Sequence, residues 1–183
     1  MVKDPVERVA LASCDPYPPV EDDEGPLREA LQRRGFEVVS PAWDASYDWS
    51  TCVAILLRTT WDYHLRCAEF LAWCERVSMV TRLFHGPEIV RWNVDKRYLR
   101  ALAERGVPIA ETRWLDVDAT IDDLRLPYER AFLKPVIGAN ASDTLRFACD
   151  DDGYASAIAH LRARPQAYML QPYLASVERD GEL

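Results

Sequence analysis

The chain has 183 residues, 49% of them hydrophobic, enough for one domain or two small ones with packed cores. Its longest apolar run, Cys52 to Leu57, has six residues against the roughly 20 that a membrane-crossing helix needs, and its first residues interleave charge with Pro unlike a signal peptide. A formal charge of −8 excludes a phosphate-coating nucleic-acid surface, while five cysteines without a C-x-x-C pair and three scattered histidines exclude a disulfide framework and a zinc ribbon. The expected setting is therefore a reducing cytoplasm, with no membrane and no nucleic acid as partner.

In chain order, Arg8 to Ser13 reads as a strand, and the Pro-rich stretch Cys14 to Pro19 as the loop after it. Glu21 to Glu24 open a helix carrying Leu27, Ala30 and Leu31, with Gly35 at the position after its end. Phe36 to Ser40 and Cys52 to Leu57 are two further strands, and Arg66 to Arg76 is a second helix. Cys67 and Cys74 share one face of that helix, two turns apart and too far for a disulfide. Strands alternating with helices predict a small parallel α/β sheet whose functional edge lies at the strand carboxyl ends.

A second unit is expected from Pro87. Asn93 is read as an N-cap followed by Val94, Tyr98 and Leu102 on a helical stripe, with Gly106 and Pro108 ending the element. Strand-like runs follow at Glu111 to Leu115, Ala131 to Lys134, Thr144 to Cys149 and Ala167 to Gln171, with a helix from about Asp152 to Arg164. That order predicts an α+β, partly antiparallel unit. Asp180-Gly181 reads as a hairpin turn.

Several residues carry chemistry. Lys96, placed in the first turn of the Asn93 helix, is a cation at the positive end of a helix dipole, an arrangement that a bound phosphate would reverse; a solvated lysine is the plain alternative. Lys134 ends an apolar strand before Pro135 and the loop Val136 to Thr144, whose small side chains let backbone N–H groups approach an anion, with Ser142 and Thr144 as hydroxyl donors. An edge-strand lysine before an ordinary turn is the alternative there. At Gln171-Pro172-Tyr173-Leu174 the Pro is expected to end the hydrogen-bond ladder. In the first unit Arg58, Trp61, Asp62 and Tyr63 follow a strand and offer an anion-binding guanidinium between aromatic walls, or else an Arg58–Asp62 ion pair with two core aromatics. Trp43, Trp49, Trp73, Trp92 and Trp114 read as core or interface residues.

Taken in order, Arg91-Trp92-Asn93-Val94-Asp95-Lys96, Phe132-Leu133-Lys134-Pro135 with its loop, Gln171-Pro172-Tyr173-Leu174 and Gly181-Glu182 resemble the ATP-grasp superfamily. The segment Arg58 to Tyr63 resembles that of its glutathione-synthetase-like bacterial members, cycloserine-forming ligases included. The resemblance covers nearly the whole chain. It implies a small parallel-sheet pre-ATP-grasp domain over residues 1–86 and the first α+β portion of an ATP-grasp fold over 87–183. Lys96 and Lys134 would hold ATP phosphates, the Gly138 to Thr144 loop would close over them, Gln171, Tyr173 and Leu174 would meet adenine, and Glu182 would meet ribose. Arg58, Trp61, Asp62 and Tyr63 would contact one substrate.

The function implied is ATP-dependent carboxylate–amine ligation through an acyl phosphate, with small-molecule carboxylate and amine substrates and a homodimer as the assembly. In this superfamily the ligands for Mg2+ follow later in the chain, so they are expected beyond residue 183, and phosphoryl transfer by these residues alone is expected to be impaired. The competing reading is a non-catalytic nucleotide-binding or partner-binding module with an open sheet edge.

Overall fold

The computed structural model describes residues 6–15 and 21–180 and divides into two compact units, Met1–Val94 and Asp95–Leu183. The first unit is a parallel α/β sheet. Its elements are β1 (Arg8–Ala12), α1 (Glu21–Arg33), β2 (Glu37–Val39), β3 (Ala54–Leu57), α2 (Cys67–Ser78), β4 (Arg82–Phe84) and α3 (Pro87–Val94). The strands run β2-β1-β3-β4, all parallel, with Val9 beside both Val38 and Ala54. β1 is nearly all apolar because its last four residues are buried, the usual reason for unbroken hydrophobic runs in parallel sheets. Gly35, at φ +90°, supplies the left-handed residue that lets the chain leave α1.

Behind this sheet Trp43, Trp49, Phe70 and Trp73 make edge and stacked contacts at centroid distances of 5.1 to 6.1 Å. Three of the five tryptophans read as core or interface residues are thus core; Trp92 is 47% exposed. Cys74 is fully buried and Cys67 half-buried on α2, as their spacing predicts.

The second unit is α+β. It comprises α4 (Tyr98–Glu104), β5 (Arg113–Leu115), α5 (Ile121–Leu124), β6 (Arg130–Pro135), β7 (Leu145–Ala148), α6 (Asp151–Ala163), β8 (Tyr168–Pro172) and α7 (Ala175–Asp180). Its sheet is antiparallel in the order β5-β8-β6-β7. Strand alternation assigns the two faces. Ala131, Leu133, Phe147, Tyr168 and Leu170 point into a core with Tyr154, Ala157 and Leu161 of α6, which leaves Phe132 and Lys134 on the opposite face.

Some expectations change. Asn93 is not an N-cap: it lies near the end of α3, a helix that starts at Pro87, whose fixed φ suits a first helical position, and that buries Val90 and Val94 four apart. Those two residues belong to the core of the first unit, so the compact units meet at 94/95 rather than at 86/87. Lys96 therefore stands in the turn between α3 and α4, not in the first turn of a helix. Asp180 is helical, closing α7, rather than the first residue of a hairpin turn; Gly181 and Glu182 lie outside the described residues, as do Pro16 to Pro19. β4 and α5 are short elements with too few residues to show a period. Among the described residues no helix is long and apolar enough to cross a membrane.

Candidate functional site

The second unit brings both candidate lysines to one cavity of about 350 Å3. Lys134 reaches it from β6, on the face that alternation turns away from the core. Lys96 reaches it from the turn before α4, where its backbone N–H donates to the Val136 carbonyl at 3.0 Å. The rest of the lining, among the described residues, is Phe132, Pro135, loop residues 138–142 and Thr144.

Each ammonium is oriented. Lys96 Nζ donates to the carbonyls of Gly138 at 2.7 Å and Pro135 at 3.3 Å. Burial, and then the charge of Lys134, push the Lys96 ammonium below its ordinary pKa, with Asp95 opposing them. Lys134 Nζ donates to Gln171 Oε1 at 3.4 Å and lies 5.0 Å from the Phe132 ring centroid. The Gln171 amide is itself fixed: the Thr112 hydroxyl donates to the Ala110 carbonyl at 2.8 Å, so it accepts from Gln171 Nε2, also at 2.8 Å, and the amide oxygen turns to Lys134. Gln171 thus acts on the lysine through its side chain, and Thr112, which lies in none of the sequence motifs, gave no sequence signal for this role.

The loop after β6 is tightly wound. Asn140, Ala141 and Asp143 have φ of 52°, 55° and 54°, a conformation that costs an L-residue roughly 1–2 kcal/mol, less for Asn and Asp. Ser142 N–H donates to Ala139 O and Thr144 N–H to Ala141 O, closing two successive turns. Gly138 has to be Gly for contact reasons: a Cβ there would lie 2.7 Å from Pro135 Cγ and 3.8 Å from Lys96 Nζ. An arrangement of two neighbouring cations, one of them partly desolvated, and a small-residue backbone favours an anion with several oxygens.

The end of β8 differs from expectation. Pro172 pairs with Ala131 and the ladder continues one step further, because Tyr173 N–H donates to Arg130 O at 2.9 Å. That donor is used within the sheet. Leu174, 46% exposed, follows it.

The first-unit candidates separate. Asp62 is 5% exposed and structural: Oδ1 accepts from Trp43 Nε1 at 2.8 Å and Oδ2 from Arg66 at 3.3 Å, while Arg66 also pairs with Asp44 at 2.6 Å. The Arg58–Asp62 pair does not form; Arg58 is exposed and has no ion pair among the described residues. Tyr63 alone of the four lines a cavity of about 370 Å3, with Thr60, Phe70, His85, Asn93 and apolar residues of α3. Trp61 is half-buried nearby in sequence but outside that lining. The cavity sits where β3 and β4 end, the edge at which parallel sheets bind ligands. His85 escaped the sequence reading because β4 was not recognised, and Asn93 was read there only as an N-cap and motif residue.

Residues 9–85 match the family model described as the N-terminal domain of D-cycloserine synthetase DcsG. The chain is 40% identical over 173 residues to the cycloserine biosynthesis protein DcsG of Streptomyces lavendulae, covering 90% of this chain and 58% of that protein. The crystal structure of D-cycloserine synthetase DcsG superposes with a TM-score of 0.84 at 34% identity, over 95% of this chain and 62% of that one. The RimK-domain ATP-grasp protein from Sphaerobacter thermophilus shares the fold, with a TM-score of 0.68 at 22% identity over 91% of this chain and 64% of that one. The chain thus spans about six-tenths of the length of these relatives.

Proposed function

The chain belongs to the ATP-grasp superfamily, and on that premise we propose that it binds ATP in the two-lysine cavity as part of an ATP-dependent carboxylate–amine ligase. The observation that carries this reading is the convergence of Lys96 and Lys134 on one cavity beside the small-residue loop 138–144. Two cations held together in a partly desolvated place repel each other, and a polyphosphate between them turns that cost into attraction. ATP, when bound, supplies the phosphoryl group that activates a carboxylate for attack by an amine. The protein's share is positioning and charge stabilisation.

In this reading Lys96 and Lys134 grip phosphate oxygens, and Gly138, Ser142 and Thr144 belong to the loop that covers them. Adenine is assigned to the end of β8 at Gln171, Tyr173 and Leu174, where Tyr173 N–H is already taken by the Arg130 carbonyl. Glu182 is assigned the ribose hydroxyls. The carboxylate or amine substrate is placed at the carboxyl edge of the first sheet, with Tyr63 in its cavity and Arg58 and Trp61 at the same chain segment; Asp62 holds that segment rather than the substrate. Among the described residues no group of three His, Cys, Asp or Glu is arranged to hold a metal ion, so no magnesium ligand is assigned to them. A cytoplasmic setting is part of the reading, supported by five cysteines that are all free thiols.

Equilibrium dialysis against ATP tests the assignment. Lys134→Ala is expected to abolish measurable binding while circular dichroism stays that of the wild type. ATP affinity equal to wild type in that variant would sink the two-lysine site.

A further inference from the structure

We propose that Asp143, clamped by Arg164 and His160, is a positioning residue that holds the loop 138–144 in the conformation that receives phosphate. The inference rests on the nucleotide reading above and adds residues which that reading does not use. Asp143 does not line the cavity, yet its neighbours Ser142 and Thr144 do. Its φ of 54° lies between negative-φ residues on either side, so the backbone reverses its turn at this residue. A loop of mostly non-glycine residues would relax out of such a conformation unless something outside the loop held it.

Two side chains of α6 do so. Arg164, the residue that ends the helix, pairs through Nε with Asp143 Oδ1 at 2.6 Å. His160, one turn earlier, donates from Nε2 to the Asp143 backbone carbonyl at 2.9 Å, and Tyr168 OH lies 3.3 Å from the same nitrogen. Tyr168 is fully buried in β8 and stacks edge-on with His160 at 5.6 Å. The clamp therefore ties side chain and main chain of Asp143 to the packed part of the unit. Aspartate suits the position twice over, tolerating positive φ and offering the carboxylate. Both partners of the ion pair are about four-tenths exposed, so its strength alone is modest. Its leverage comes from preorganisation: a loop already wound for the anion has less ordering to do on binding.

The experiment uses the whole chain with ATP as probe, reading affinity by dialysis and loop dynamics by hydrogen exchange at residues 138–144. Arg164→Ala is expected to speed exchange across the loop and to weaken ATP about fivefold, the scale of one partly exposed ion pair. Arg164→Lys, which keeps the charge at the helix end, should restore most of both. His160→Ala should act in the same direction, and Lys134→Ala should lose ATP without changing loop exchange. If Arg164→Ala leaves loop exchange unaltered, or binds ATP as well as or better than wild type, the clamp has no such role. Should Lys134→Ala keep wild-type affinity, the nucleotide reading fails instead, and the exchange measurement still decides whether Arg164 and His160 hold the loop.

Discussion

A lysine beside another lysine in a half-closed cavity is a liability to the ligand-free protein, and Lys96 shows what it costs. Its ammonium is disfavoured first by burial and then by Lys134, so its folded-state pKa lies below the ordinary 10.5. For a base whose folded pKa is depressed, folding is penalised wherever the unfolded chain holds the proton more tightly. The penalty is complete below the folded pKa and fades as pH rises from there towards 10.5. Lys96→Met keeps the stem and drops the charge. Without nucleotide, this variant is expected to melt no lower than wild type at neutral pH. The gap in its favour should shrink on approach to the ordinary lysine range, while ATP affinity falls at least about tenfold, the loss of a charge-assisted contact. A calorimetric pH series with and without ATP measures both, and a variant that melts lower at neutral pH and binds ATP unchanged would reverse the assignment. At this scale the sequence was readable where chemistry is local. Lys134 at a strand end before Pro135 and a run of small residues declares itself, whereas the fate of Asp62 depended on Trp43, nineteen residues away and connected to it by no spacing rule, as well as on Arg66 four residues on.

Elements were legible in proportion to their period and their punctuation. α6 carries both, with Asp150 as a true cap accepting from Gly153 N–H at 2.8 Å. Gly153 looks out of place as the third residue of a helix until its surroundings are considered: a Cβ would stand 1.9 Å from the Ala148 carbonyl oxygen, which is backbone and cannot step aside. The glycine lets α6 start directly against the end of β7, and through α6 it sets where His160 and Arg164 meet the loop. Gly153→Ala should therefore destabilise the second unit by about 2–3 kcal/mol, the overpacking range, although Ala is the better helix former. Asp150→Ala should cost about 1 kcal/mol, an ordinary cap. Urea titrations followed by the second-unit signal rank the two, and a stabilised Gly153→Ala would mean that propensity outweighs the contact. α3 shows the opposite case. Asn93 and Pro87 are both start signals, and the Pro prevailed because the helix it opens buries Val90 and Val94, a tertiary gain absent from local rules. β4, three residues long, is held by its pairing with β3 rather than by its own pattern, whereas α5, four residues long, carries a local start signal in the Thr120–Asp123 capping box.

At the scale of the molecule each unit closes a core of its own, which predicts that damage to one core is felt there first. Ile55 is fully buried in β3 among Ala10, Ala12, Phe70 and Trp73, all of the first unit. Ile55→Ala removes a branched side chain from a close-packed place and should cost about 2–5 kcal/mol. The cysteines make the outcome visible. Cys14, Cys52 and Cys74 are buried in the first unit, and burial pushes the Cys74 thiol up to about 12, so it reacts with a thiol reagent only when its surroundings open. Cys149, half-buried, reports on the second unit. In native buffer Ile55→Ala should accelerate modification of Cys74 and Cys14 by at least tenfold, since a loss of 1.4 kcal/mol in opening free energy already gives that factor. Modification of Cys149 should keep its wild-type rate. Mass mapping of the labelled peptides separates the sites. Equal acceleration at Cys74 and Cys149 would show that the two cores open together, and the stability of the lysine cavity would then depend on a sheet to which none of its lining residues belongs.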